Sequence, residues 1–196
     1  MTTILIRILI FISSISYPPP PFLFLGGWIF CCDPGYPANL IELILTKGGN
    51  PNLAMKQTGS TPLLICMQQG AVDIAKLLLK HGADPNVATL TAQKLFPLLI
   101  AVQKGRVAVV KLLLHKRADP NQVGGRRGGV TSQHVTPLCI AAGNAVDGSV
   151  ECLKLLLASK SVEVDKACGS GLTPLFIALY VCILAWKGVG NRNWLC

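Results

Sequence analysis

The twelve residues Gly124–Val135, GGRRGGVTSQHV, gather four glycines, two adjacent arginines and a histidine in one short stretch. Residues of these types serve a phosphate cradle, an RNA-binding tail or the tip of a long turn. A phosphate loop needs G-x-x-x-x-G-K-[ST], because the lysine must reach the phosphates and the hydroxyl must reach magnesium. Gly124 and Gly129 have that spacing and Thr131 stands at the hydroxyl position, but the lysine position holds Val130. An apolar side chain does not do that work, so the phosphate reading is set aside. The single Arg-Gly-Gly at 127–129 is a weak RNA signal, since such segments bind through many copies with interleaved aromatics. Other reactive groups are scattered. Eight cysteines stand at 31, 32, 66, 139, 152, 168, 182 and 196, no C-x-x-C occurs, and His81, His115 and His134 are dispersed. Zinc needs paired ligands at short spacing, so no metal and no other cofactor is expected. No Ser/His/Asp or Cys/His cluster recurs, and no catalytic residue is assigned. The cysteines read as small buried thiols of a reducing compartment. The absence of any Asn-x-Ser/Thr sequon agrees with an intracellular, cytoplasmic chain.

A chain of 196 residues is of single-domain size. Eighteen Lys/Arg against nine Asp/Glu give a net charge of +9, which favours acidic partners, although the charges form no single block. Six per cent aromatic residues is low for a base-stacking protein. The mean hydropathy, +0.52, is high, and the excess lies at the two ends.

What positions these residues is a repeat. ELILTKGGNPNL (42–53), KLLLKHGADPNV (76–87) and KLLLHKRADPNQ (111–122) start 34 and 35 residues apart, and KLLLASKSVEVDK (154–166) follows at 43. A second motif alternates with the first: TPLLI (61–65), FPLLI (96–100), TPLCI (136–140) and TPLFI (173–177). In three of these four copies a Thr can cap a helix, and in all four the proline suits its first position. A first helix running from Leu63 through Met67 is expected to stop near Gly70. A second, carrying Ile74, Ala75 and Leu77–Leu79, should end at Gly82 in the left-handed conformation, before a turn at Asp84-Pro85-Asn86. Helices of about 8 to 10 residues are marginal alone, so their leucine faces must be buried against neighbouring units. The fold class expected is all-α, a solenoid of stacked helix-turn-helix units.

TPLL…KLLLKHGADPN resembles the ankyrin repeat, over roughly residues 36–186. The resemblance implies β-turn loop fingers between units, which are read as 36–60, 61–95, 96–135, 136–172 and a partial 173–186. It also implies a non-catalytic scaffold or adaptor that binds another protein, here an acidic one, through its concave helix face and loop tips. The contact positions implied are Lys56, Gln57, Gln68, Gln69, Lys94, Gln103, Lys104, Arg126, Arg127 and His134. The alternative is binding of a polyanion, nucleic acid or an anionic membrane surface, through the basic surface and the Arg126–Arg127 loop.

This chain departs from the family in places. The histidine after T-P-L is replaced by Leu64, Leu99, Cys139 and Phe176, so packing must substitute for its hydrogen bonds. Phe96 replaces a capping threonine, at an expected cost of ~0.5–2 kcal/mol. Arg117 stands where Gly48 and Gly82 stand in earlier units. The count from the turn's Asn, Asp or Glu to the next T-P proline (F-P in the third unit) is 12, 13, 18 and 11. The third loop has therefore gained seven residues, and GGRRGGVTSQHV is that insertion. A smaller insertion, GNAVDGS (143–149), lengthens the turn between the same unit's helices.

Residues 1–35 fall outside the repeat and read as an apolar, proline-rich tail; secretory entry through residues 1–16 is the alternative. Its apolar runs are too short for a membrane span. Residues 187–196 form a second tail. Both ends read as cut, as in a segment of a longer protein. Phe176, Ile177, Tyr180, Val181 and Leu184 are expected to lack a later neighbour to cover them.

Overall fold

The computed structural model describes residues 38–91, 93–124, 135–144 and 147–186. Both tails lie outside these residues. Three helix pairs form the body: α2 (Pro62–Gln69) with α3 (Val72–Lys80), α4 (Pro97–Gln103) with α5 (Val107–His115), and α6 (Pro137–Gly143) with α7 (Ser149–Leu157). Before them stands α1 (Ala38–Thr46), a helix of the second kind, and after them α8 (Pro174–Trp186), a helix of the first kind.

The first helices begin as their sequence dictates. The Thr61 Oγ1 accepts the Leu64 N–H at 3.3 Å, and the Thr136 Oγ1 accepts the Cys139 N–H at 3.2 Å. A proline follows at the first helical position in each case. Phe96 takes the same extended backbone with no side-chain cap, and its ring is fully buried in the core. The lost cap is thus exchanged for a large buried apolar surface, a gain that the spacing alone does not reveal.

Helix ends follow the left-handed rule. Gly70 closes α2 at φ +86°, and Gly48 and Gly82 follow α1 and α3 at φ +90° and +86°. Arg117 holds the equivalent conformation after α5, at φ +64°. A side chain at such a site meets no obstacle, since a Cβ placed on Gly48 or Gly82 has nothing within 4 Å. The strain is therefore in the backbone, at ~1–2 kcal/mol. Arg117→Gly should stabilise by a net ~1 kcal/mol, after glycine's greater freedom in the unfolded chain is subtracted. A rise of about 2–4 °C in melting temperature follows for a chain of this size. A fall in thermal circular dichroism would contradict it.

The first helices pack in order, α2 on α4, α4 on α6 and α6 on α8, and each of α2, α4 and α6 also packs against the second helix of its own unit. Between these layers lies one continuous core, which includes Leu63, Met67, Leu78, Phe96, Leu98, Val102, Val109, Leu113, Leu138, Cys152 and Leu156. This burial supplies the stability that helices of seven to nine residues lack alone. At the family's histidine position Leu64, Leu99 and Cys139 are buried, as packing in its place requires, while Phe176 is exposed.

One expectation about α8 is corrected. Ile177 is buried, matching its equivalents Ile65, Ile100 and Ile140, because that position faces back into the stack and needs no later unit. Val181 is partly buried, Phe176 and Tyr180 are exposed, and the Leu184 side chain lies outside the described residues. Among the described residues no helix is long and apolar enough to cross a membrane.

Candidate interaction surface

The loops between units are closed by short backbone pairings. The Met55 N–H donates to the Ser60 carbonyl at 3.0 Å, Thr89 to Leu95 at 2.8 Å, and Cys168 to Leu172 at 2.9 Å. Gly124 and Val135 form a two-way antiparallel bridge at 3.0 and 2.7 Å. The closing residues stand 5, 6, 11 and 4 apart in chain order. Each value is seven less than the turn-to-proline count for the same loop, so the additional residues of the third loop lie wholly inside its closing pair. Gly124 itself is fixed by packing. A Cβ there would stand 2.6 Å from Leu99 Cδ2 and 3.0 Å from the Lys94 carbonyl oxygen. The first glycine of the motif is therefore a structural residue at the base of the finger.

The fingers are held in register by a ladder of asparagines. Asn52 Nδ2 donates to the Gly82 carbonyl at 3.0 Å, and its Oδ1 accepts the Asp84 N–H at 2.7 Å. Asn86 bridges Arg117 and Asp119 in the same way, at 3.3 and 2.8 Å. Asn121 bridges Ser161 and Glu163, at 2.6 and 2.8 Å. An amide suits this position because it donates and accepts at once. Asp84 and Asp119 use Oδ1 to accept the N–H two residues on, at 2.8 and 2.9 Å, which accounts for them without catalysis. On the inner side, Arg106 donates to the Met67 carbonyl at 3.1 Å and Asn144 to the Gln103 carbonyl at 2.9 Å, so each unit caps a helix end of the one before. Sequence reading took Asn86 as a turn residue and passed over Asn52, Asn121 and Arg106. The recurrence of Asn52, Asn86 and Asn121 at the repeat's own period was the available signal.

The contact positions expected from sequence divide as follows. Lys56 and Gln57 occupy the first finger and Lys94 the second; Gln68 and Gln69 end α2, Gln103 ends α4, and Lys104 follows it. All seven are exposed, and among the described residues their side chains make no hydrogen bond or ion pair. Lys94 holds a left-handed backbone, φ +40°, where glycine would be unstrained. Arg126, Arg127 and His134 lie outside the described residues; the chain places them between Gly124 and Val135.

The carboxylates avoid the fingers and the first helices. From residue 38 onward every carboxylate sits on a second helix (Glu42, Asp73, Glu151), in the turns at the ladder (Asp84, Asp119, Glu163, Asp165) or just before α7 (Asp147). The fingers and first helices contain none. Three lysines are partly compensated by these carboxylates: Lys76 with Asp73 at 2.9 Å, Lys80 with Glu42 at 3.9 Å and Lys166 with Glu163 at 3.4 Å. Lys56, Lys94 and Lys104 have no such partner among the described residues, and neither do Lys47, Lys111, Lys116 and Lys154; the fingers are positive because they combine Lys56 and Lys94 with no carboxylate.

The interior offers little reactivity. Cys66, Cys139, Cys152 and Cys168 are buried and form no disulfide. Burial pushes the Cys139 and Cys152 thiols up from their ordinary values, against the thiolate that nucleophilic work requires. Among the described residues no three His, Cys, Asp or Glu side chains converge as a metal site would require.

Comparison with known proteins gives a family match. The family model described as "Ankyrin repeats (3 copies)" matches residues 28–123, ending one residue before the long finger opens at Gly124. The 2-5A-dependent ribonuclease of Mus musculus is 46% identical over 46 residues, 24% of this chain and 6% of that protein. The human protein of the same name is 43% identical over 47 residues, again 24% and 6%. An ankyrin repeat and KH domain-containing protein of Caenorhabditis briggsae is 39% identical over 55 residues, 28% of this chain and 2% of its own length. The chain thus spans only a small part of the length of these relatives.

Proposed function

The chain belongs to the ankyrin-repeat family, and on that premise we propose that it is a non-catalytic adaptor whose fingers and first helices hold an acidic segment of another protein. Ankyrin repeats are in general protein–protein interaction modules. The ribonuclease name belongs to the relatives; the likeness lies in the repeats and brings no enzyme activity to this chain. The observation that carries the acidic partner is the absence of carboxylates from the fingers and first helices. The fingers and first helices, where Lys56 and Lys94 stand and which Lys104 follows, contain no carboxylate, and the chain tolerates a left-handed lysine at 94. Such a face attracts acidic chains and repels basic ones. Arg126, Arg127 and His134 extend the same surface on this reading, with Gln57, Gln68, Gln69 and Gln103 as neutral hydrogen-bonding neighbours. The setting proposed is the cytoplasm, where the buried thiols stay reduced. The repeat domain is proposed to run from 36 to 186, as limited proteolysis would show by trimming the chain to that core.

The test is fluorescence anisotropy with a labelled decaglutamate peptide. The paired reversal Lys56→Glu with Lys94→Glu should weaken binding about tenfold, and wild-type affinity should fall with added salt. Lys111→Glu, on α5 away from the fingers, should change it little. Equal affinity in the paired variant would sink the proposal. Tighter binding to duplex DNA than to the peptide would favour the polyanion reading instead.

A further inference from the structure

We propose that Cys139 and Cys168 form a peroxide-sensitive pair, reduced at rest and closed to a disulfide on oxidation. The repeat brings them together. Each finger is closed by a pair whose first member donates its N–H, and Gly124 and Cys168 are equivalent first members. Leu99 and Cys139 are likewise equivalent, fourth in FPLLI and TPLCI. In the third finger a Cβ at 124 would stand 2.6 Å from Leu99 Cδ2. One unit later, the same two positions hold the two thiols. Their side chains are in hydrogen-bond contact, and both are buried, Cys139 to 1% and Cys168 to 7% exposure. The Cys139 S–H also reaches the Lys166 carbonyl, at 3.8 Å, two residues before Cys168. Neither position demands a cysteine: their equivalents are Leu64 and Leu99 in one case and Met55, Thr89 and Gly124 in the other.

The two thiols differ in access. Cys168 is the one buried residue between Ala167 and Leu172, with exposed neighbours on both sides, whereas Cys139 lies within α6 in the core. The Ser170 Oγ stands 2.9 Å from the Cys168 Sγ, in reach to donate to it when it carries charge. Cys168 is therefore the first to react, as the finger opens locally. Its thiolate attacks one peroxide oxygen, the O–O bond breaks, and hydroxide leaves and takes up a proton to become water. Cys168 is then a sulfenic acid. The Cys139 sulfur, giving up its proton, attacks the Cys168 sulfur; the S–S bond forms, the S–O bond breaks, and a second water leaves. Two thiols and one hydrogen peroxide thus give one disulfide and two waters. Burial raises the Cys139 thiol most, the Thr136 hydrogen bonds draw it back and Cys168 raises it again, so it is a poor target for a reagent from solution. Its contact with Cys168 offsets that for this one partner. The new bond fastens the base of the fourth finger to α6.

The full chain, reduced and then treated with hydrogen peroxide, tests the pair. Digestion with trypsin and Glu-C, read without reduction by tandem mass spectrometry, should find Cys139 joined to Cys168. The bond encloses about 30 residues, and the oxidised chain should melt about 5–10 °C higher, a shift that dithiothreitol reverses. Cys168→Ser should abolish that shift and slow the loss of the Cys139 thiol about tenfold or more. Helical circular dichroism of the reduced variant, matching wild type, establishes that it is folded. Cys182→Ser, at an exposed cysteine, should leave both the link and the shift in place. Absence of the Cys139–Cys168 link from the oxidised wild-type chain would overturn the proposal. So would a Cys139 thiol lost as fast in Cys168→Ser as in wild type.

Discussion

Phe96→Thr is expected to lower the melting temperature by about 4–16 °C, although it restores a cap that the neighbouring units possess. Threonine at the position regains the hydrogen bond that Thr61 and Thr136 make, at roughly 1 kcal/mol. It also removes a ring that is 0% exposed, and large-to-small changes at buried phenylalanine cost ~3–5 kcal/mol. The balance is a loss of about 2–4 kcal/mol. Thermal melting followed by circular dichroism decides the sign. A higher melting temperature would mean that the cap outweighs the core at this site.

Gly124→Ala carries the second large effect, a loss of about 1–3 kcal/mol from overpacking. The new methyl would stand 2.6 Å from Leu99 Cδ2, 3.0 Å from the Lys94 carbonyl oxygen and 3.2 Å from Phe96 Cε1. Side chains can shift; the carbonyl belongs to a residue already held at positive φ. Because Phe96 is one of the three neighbours, the two changes should not add. With threonine at 96 part of the space opens, and Gly124→Ala should cost less there than in the wild type. Simple additivity of the two melting shifts would show that the ring does not support the finger.

Much of this arrangement was legible in the chain, and the reasons are local. Thr-Pro before an apolar run names a helix start by sterics and one hydrogen bond, and α2 and α6 begin there. The left-handed site after a helix shows as Gly48 and Gly82, and position in the repeat carried the inference to Arg117. The lengths of the fingers followed from counting. What stayed hidden involves groups far apart in sequence. Asn86 reads as a turn residue, whereas its amide serves Arg117 and Asp119, more than thirty positions away. Arg106 reads as surface charge and is instead a cap on the previous unit's helix. The distribution of carboxylates needed the helices assigned to layers before they could be seen to avoid one of them. Ile177 was misjudged because an apolar run does not say which of its members face backward.

The asparagine ladder has a consequence for how such a chain can change over time. Each rung holds a carbonyl and an N–H of the following unit together, so the spacing from one unit to the next is set at the ladder and not at the fingertips. A residue added beyond a closing pair lies outside that constraint. The seven extra residues of the third finger leave the rung at Asn121, with its hold on Ser161 and Glu163, intact. Finger length is then an independent variable: tips can lengthen, shorten or gain charge while the scaffold keeps its pitch. A lineage could in this way refit the molecule to new partners one loop at a time, without re-solving the problem of folding.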